Sequence, residues 1–350
     1  MKCQRSLAHL VLEVLGGAIM LGAAFSVSDA VAQNNYNNIG RSSSMLMVNP
    51  WGPDPGAQTT PQGGAAVGFS SGQQGAPDLI IPGTLFKPTN RAKGAVVVLG
   101  STGGVSDDRE GQYARSLSSG GYAVLVIDSY RARGVASTVA DTAAVSVFDQ
   151  LRDAFAARRF LIDTGFAVDR IAVMGSGRGG TIALLAADKT FVPGAADKRF
   201  AAAVAVSPGC IFHPRTPKPT TSVFIATGEK DTIVGQIGCR DWIKEYASAG
   251  GKVVTKAYPG AASGFDGSPI DTRMYRDLNV ETFVNCRVDV EPDGSSVYDG
   301  KSFSESQFAA LVAQMRKSCM GRGGSGYTNL TQKVNVTLDL TDFLDSNFPQ

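Results

Sequence analysis

Residues 170–187 read RIAVMGSGRGGTIALLAA. A short apolar run, Arg170–Met174, leads into Gly175-Ser176-Gly177-Arg178-Gly179-Gly180, and a helical stretch starts at Thr181. Strand, sharp turn and helix are the context of the nucleophile elbow, G-x-S-x-G. The turn is tight, so the positions two before and two after the nucleophile must lack bulk. Gly175 and Gly179 meet that demand around residue 177, and residue 177 is itself glycine. Sliding the register by one makes Ser176 the nucleophile but puts Met174 and Arg178 in the crowded positions. The plainer alternative is a Gly-rich strand-to-helix turn with no chemistry. A phosphate cradle is open to any such loop. Here there is no Walker lysine and no G-x-G-x-x-G fingerprint complete with its acidic follow-up.

Outward from this turn, short apolar runs alternate with helical stretches. Ala95–Leu99, Tyr122–Ile127, Arg170–Met174, Ala202–Val206, Ser222–Ala226 and Lys252–Tyr258 are the expected strands. Runs apolar throughout suit strands buried on both faces of a parallel sheet. Helices are expected at 109–120, 138–163, 178–187 and 240–249. The alternation predicts an α/β fold, a doubly wound mostly parallel sheet with helices on both faces. Ligands of such sheets bind at the carboxyl ends of the strands. Residues 260–330 break the rhythm with a hairpin-like piece, VDVEPDGSSVYDG, and a helix near 304–318. The stretch 333–346 fits a closing helix that packs Val336, Leu338, Leu340, Phe343 and Leu344, while its β-branched content favours a strand.

The 350 residues are 43% hydrophobic and 18% charged with net charge +2, which suits one large domain. So small a charge gives no electrostatic case for nucleic acid or an anionic membrane. Residues 1–32 read as a Sec-type signal peptide. Lys2 and Arg5 precede the apolar run Val14–Ala24, and Ala30-Val31-Ala32 offers a cleavage site before Gln33. The run has 11 residues, where about 20 are needed to span a bilayer. No integral membrane segment is therefore expected after cleavage, and the chain is expected in the periplasm or secreted. Residues 33–76, rich in Gly, Gln, Asn, Ser and Pro, read as a flexible leader, and residues 77–350 as a single domain. Without Cys3 the chain keeps Cys210, Cys239, Cys286 and Cys319. An even count in an exported chain predicts two disulfides, with three pairings allowed. With no CxxC and one histidine past the signal, no metal site is expected, and no cofactor.

Four further segments and one cysteine give the pattern specificity. Asp128-Ser129-Tyr130-Arg131-Ala132-Arg133-Gly134 resembles the D-S-[FY]-x-x-R-G segment of the dienelactone hydrolase family of the α/β-hydrolase superfamily. Ser207-Pro208-Gly209-Cys210 is similar to its P-G-C segment. Thr227-Gly228-Glu229-Lys230-Asp231 resembles the G-E-x-D that bears the triad acid, and Cys239 stands where the family has a second cysteine. Tyr258-Pro259-Gly260-Ala261 resembles the lead-in to the catalytic histidine. The resemblance covers residues from about 80 to 350 and implies the α/β-hydrolase fold. It implies the pairing Cys210–Cys239; for the other two cysteines the preferred pairing is Cys286–Cys319.

The departures bear on activity. Where the family has Y-P-G-A-x-H-x-F-D, this chain reads YPGAASGFD, so Ser263 stands at the base position. Gly177 stands at the nucleophile position, and the oxyanion-hole loop reads Gly100-Ser101-Thr102-Gly103-Gly104 instead of beginning His-Gly. Only Asp231 remains of the triad. Glycine has no atom to attack with, and serine cannot replace imidazole as a base near neutral pH. Neither Ser-His-Asp nor Cys-His-Asp catalysis is supported. The expected function is a pseudo-hydrolase that binds a small ligand or a partner. Gly103, Tyr130, Arg133, Ser176 and Arg178 are expected in its pocket, beside Gly177, His213, Asp231 and Ser263. Arg133 and Arg178 favour an anionic ligand such as a carboxylate; on the other reading they pair with Asp128 or Asp231. The alternative is an active ester or lactone hydrolase with His213 as a relocated base and Ser176, Ser263 or Ser101 as nucleophile. A third reading is an envelope protein whose working part is the leader.

Overall fold

The computed structural model describes residues 59–71, 79–192, 199–267 and 274–348. The expected signal peptide and residues 33–58 lie outside them. In chain order the strands around the N-terminal half are β1 (Ala65–Ser70), β2 (Ile80–Phe86), β3 (Ala95–Leu99), β4 (Ala123–Ile127) and β5 (Ile171–Ser176). Their helices are α1 (Gln112–Ser119), α2 (Val147–Asp163) and α3 (Arg178–Ala186). Then come β6 (Ala202–Val206), β7 (Phe212–Pro214), β8 (Ser222–Lys230), α4 (Ile237–Ser248) and β9 (Val253–Ala262).

All five residues of β3, β4 and β6 are buried, because helices cover both faces of the sheet. Val97, Leu99, Leu125 and Ile127 pack on one face with Leu151, Phe155, Leu161 and Ile182. Val96, Val98, Val124 and Val126 pack on the other with Tyr113, Leu117, Leu340 and Phe343. The eight-stranded sheet has the order β1-β2-β4-β3-β5-β6-β8-β9. The β1–β2 and β2–β4 pairs are antiparallel and the rest are parallel. This is the α/β-hydrolase fold. It brings the ends of β3, β5, β6 and β8 to one edge.

Three expectations change. Ala65–Ser70, assigned by composition to the leader, is an edge strand: Phe69 is buried and stacks on Phe160 at 5.5 Å between ring centroids. The domain thus starts before residue 77. The helix expected from 138 begins at Val147. Asp141 caps a short 3-10 turn, Thr142–Ala144, and Ser146 caps α2 by accepting the Phe148 N–H at 3.1 Å. Such side chains compete with helical hydrogen bonds and so mark starts rather than interiors.

The ambiguous C-terminal stretch is a helix, α6 (Leu330–Asn347), which follows the strands and helix of the insertion: β10 (Met274–Thr282), β11 (Val288–Val290), β12 (Ser296–Tyr298), β13 (Lys301–Phe303), α5 (Phe308–Met315) and β14 (Gly321–Tyr327). Val336, Leu340, Phe343 and Leu344 of α6 are buried, whereas Leu338, on the opposite side of the turn, is 60% exposed. Its Thr337 and Thr341 hydroxyls donate to the carbonyls four residues back, at 2.7 Å each, which accommodates β-branched residues in a helix.

The insertion pairs β10 with β14 and lays β13-β12-β11 against β7. The hairpin read from VDVEPDGSSVYDG is β11–β12. Disulfides join Cys210 to Cys239 and Cys286 to Cys319, the preferred pairings. The second ties the segment after β10 to the residues after α5.

Candidate active site

The elbow is centred on residue 177. Gly177 links β5 to α3 with φ +54° and ψ −117°. A Cβ on Gly175 would lie 2.4 Å from the Gly179 carbonyl carbon, and one on Gly179 would lie 2.7 Å from the Leu99 oxygen. Both contacts are with backbone, so neither position tolerates a side chain. A Cβ on Gly177 would meet nothing within 4 Å. The turn therefore has the backbone of a nucleophile elbow, with open space where the nucleophile would stand. The Gly177 N–H donates to the Val206 oxygen at 2.8 Å, which pins the turn to β6.

Asp231 follows β8 and accepts the N–H groups of Ile233 at 2.9 Å and Val234 at 3.2 Å. Burial pushes its carboxyl above the usual carboxylate range, against the hydrogen bond from Ser263 and those amides. Ser263 follows β9, is buried, and its hydroxyl donates to Asp231 Oδ1. The acid position and the base position are thus hydrogen-bonded partners, although the base position carries a hydroxyl.

A small cavity, with about 70 Å³ open to the centres of water-sized molecules, lies against this edge. Its floor includes Thr102, Ser176, Gly177, Ser207 and Asp231. Its far wall comes from the insertion: Val280, Glu281, Phe283, Phe308, Val312 and Met315. Most of the lining is apolar.

The expected site residues divide. Gly177, Ser176, Arg178 and Asp231 line the cavity, with Gly264 beside Ser263. Gly103, Tyr130, Arg133 and His213 lie off it. Tyr130 shares a hydrogen bond with Thr138 Oγ1 at 2.8 Å. Arg133 binds Asp153 at 2.6 Å and the Ser129 oxygen at 2.9 Å, not Asp128 or Asp231. Arg178 reaches the cavity wall, but its guanidinium donates to Gln150, to the Thr142 hydroxyl at 2.6 Å and to the Thr142 and Val145 carbonyls. The physical ground for an anionic ligand is therefore gone: both heads are spent on internal acceptors.

His213 lies on β7, buried. Its Nε2 stands 3.0 Å from the Cys210 carbonyl, an acceptor, so Nε2–H donates to it. Nδ1 lies 2.7 Å from Glu245 Oε2 and 3.1 Å from Arg287 Nη1. Both ring nitrogens are committed, which leaves no lone pair aimed at the cavity for a relocated base.

A buried polar cluster under the elbow escaped the sequence reading. Asp266 accepts from Ser176 Oγ and from Tyr113 OH, the latter at 3.1 Å. Arg109 Nε lies 3.8 Å from Asp266 Oδ1, and Arg109 Nη1 donates to Ser101 Oγ at 2.9 Å. Burial, with Asp266 alongside, holds the Tyr113 hydroxyl well above its usual range. Lys333 of α6 donates to the Asp108 and Gly267 carbonyls at 2.6 Å each, and burial lowers its ammonium to about 8. The signal for Asp266 was the FD that closes YPGAASGFD. Arg109 sits in DDREGQ, which reads as surface. Among the described residues, no cluster of three His, Cys, Asp or Glu side chains is placed to hold a metal ion.

The sequence model of the Dienelactone hydrolase family matches residues 81–275. No curated protein matches the chain. Solved structures similar to it include esterase 2 of Thermogutta terrifontis phosphorylated by paraoxon, with 19% identity over 58% of this chain and 85% of that one, at a TM-score of 0.45. The native form of that thermophilic esterase gives 17% identity over 62% and 86%, at 0.47.

Proposed function

The chain belongs to the dienelactone hydrolase family, and on that footing we propose that it is a pseudo-hydrolase, a member that keeps the fold and the site but binds a small ligand there without turning it over. One observation carries the reading. The elbow around Gly177 and the Asp231–Ser263 hydrogen bond keep the architecture of the site, while the attacking atom and the imidazole are both missing. A nucleophile, a base and an orienting acid work as a unit, so losing two of the three removes the route. The cavity beside Gly177 supports a retained binding role. The ligand is small and apolar, since insertion side chains form one wall and the two expected cationic anchors are engaged elsewhere. Export fits this reading. Two disulfides suit an oxidising compartment, and no helix among the described residues is long and apolar enough to cross a membrane.

The test is hydrolysis of a panel of activated esters and lactones by the native protein, by Gly177→Ser/Ser263→His and by His213→Ala. The native protein and His213→Ala are expected to be silent and the double variant to gain turnover. Turnover by the native protein that His213→Ala abolishes would replace this reading with an active hydrolase of unusual architecture.

A further inference from the structure

Ser207 is the residue of the cavity floor whose conformation its own packing does not explain. It follows β6, and its backbone sits at φ +43°, in the left-handed region that disfavours any side chain. Pro208 comes next, and a residue before proline is pressed toward the extended region, far from this φ. Glycine would hold this position with less strain. The residue is serine, so the hydroxyl is the group to account for. That hydroxyl is buried and has no hydrogen-bond partner among the described residues, although a buried polar group without one is costly. Ser207 lines the cavity, and its neighbour Val206 accepts the Gly177 N–H at the start of α3. The first N–H groups of a helix have no partner within it. A strained backbone and an unspent buried donor thus converge where a ligand oxygen would meet the elbow. Strain kept at one residue is characteristic of functional sites.

The charge around it narrows the ligand. Asp231, Asp266, Glu281, Arg109 and Arg178 all reach the cavity, and each is engaged internally: Asp231 by Ser263, Asp266 by Ser176, Glu281 by Arg316, Arg109 by Ser101 and Arg178 by Thr142. An anion would find three carboxylates and no unspent guanidinium there. We infer that the cavity takes a small neutral carbonyl compound with an apolar body, and that Ser207 donates the hydrogen bond that recognises its oxygen. The body packs against Phe283, Phe308, Val312 and Met315. This rests on the reading of the cavity as a ligand site and adds the chemical class and the residue that selects it.

The test uses two probes of one shape, acetophenone and α-methylstyrene, which differ by a carbonyl oxygen against a methylene. Dissociation constants are measured by calorimetry with the native protein, Ser207→Ala and Ser207→Gly; the glycine variant removes hydroxyl and strain together and so keeps its fold. Native protein is expected to prefer acetophenone. Both variants are expected to weaken acetophenone about three- to tenfold, the range of one neutral hydrogen bond, and to leave α-methylstyrene within about twofold. If both probes bind the native protein and the variants change them alike, the role of Ser207 falls while the ligand site stands. If neither probe binds the native protein, the ligand site and this inference fall together.

Discussion

Adding one methyl group in turn at Gly175, Gly177 and Gly179 separates steric need from backbone need. At Gly179 the new Cβ would lie 2.7 Å from the Leu99 oxygen and 2.9 Å from the Gly100 oxygen. At Gly175 it would lie 2.4, 2.7 and 2.8 Å from three backbone atoms of Gly179. No rotamer change relieves a clash with backbone, so α3 must move away from β5 in Gly175→Ala and from the end of β3 in Gly179→Ala. Overpacking costs about 1–3 kcal/mol where side chains can adjust, and these two sites should exceed about 3 kcal/mol. At Gly177 the Cβ meets nothing within 4 Å, and the only cost is a side chain at φ +54°, ψ −117°, about 1–3 kcal/mol. Urea unfolding followed by circular dichroism, with disulfides intact, gives the three values. The expected order is Gly177→Ala far below Gly175→Ala and Gly179→Ala. A tolerated Gly175→Ala, or a Gly177→Ala as costly as its neighbours, would refute the register. Ser176 would then return as a candidate nucleophile. The expected result also means that Gly177→Ser leaves a folded protein for the hydrolysis assay.

Two predictions concern stability elsewhere. Lys333 titrates at about 8 in the folded chain, against about 10.4 when unfolded. Between those values the unfolded chain binds the proton that the folded chain has lost, so stability rises with pH through that window. Relative to Lys333→Met, the native protein should gain about 3 kcal/mol between pH 7.5 and 10.5; a difference flat with pH would mean that the ammonium is not desolvated. The Cys286–Cys319 bridge spans a separation of 33 residues, and its removal as Cys286→Ser/Cys319→Ser should cost about 3–4 kcal/mol by loop entropy. It should also weaken acetophenone, because Phe283, Phe308 and Met315 lie close in sequence to the two cysteines; unchanged binding would show that the far wall holds without the bridge.

The fold was legible wherever burial is uniform. Ala95–Leu99 and Ala202–Val206 lie between two helical layers, so every position is apolar and the run announces itself. β14 was not legible: GRGGSGY has little β-propensity and forms a strand only because β10 pairs with it. β1 was hidden in the same way, its Phe69 surrounded by the composition of a leader. In the site, the glycine spacing located the elbow because packing against backbone admits nothing else. The arginines misled. A long side chain is placed by its acceptors, and the carboxylate of Asp153 and the carbonyls of Thr142 and Val145 come together only in the folded chain. Ser207 opens the S-P-G-C segment, but its φ and its unpartnered hydroxyl have no sequence signature.

The cavity is assembled from two stretches of chain, one inside the span that the family model matches and one beyond it. Its floor belongs to residues 81–275, the span that the family shares, and most of its far wall belongs to residues beyond that span. Substitutions in the wall therefore leave the backbone of the elbow untouched. Relatives with the same floor need not share a ligand, and transplanting residues 276–327 onto one of them would carry the preference across while leaving its chemistry where it was.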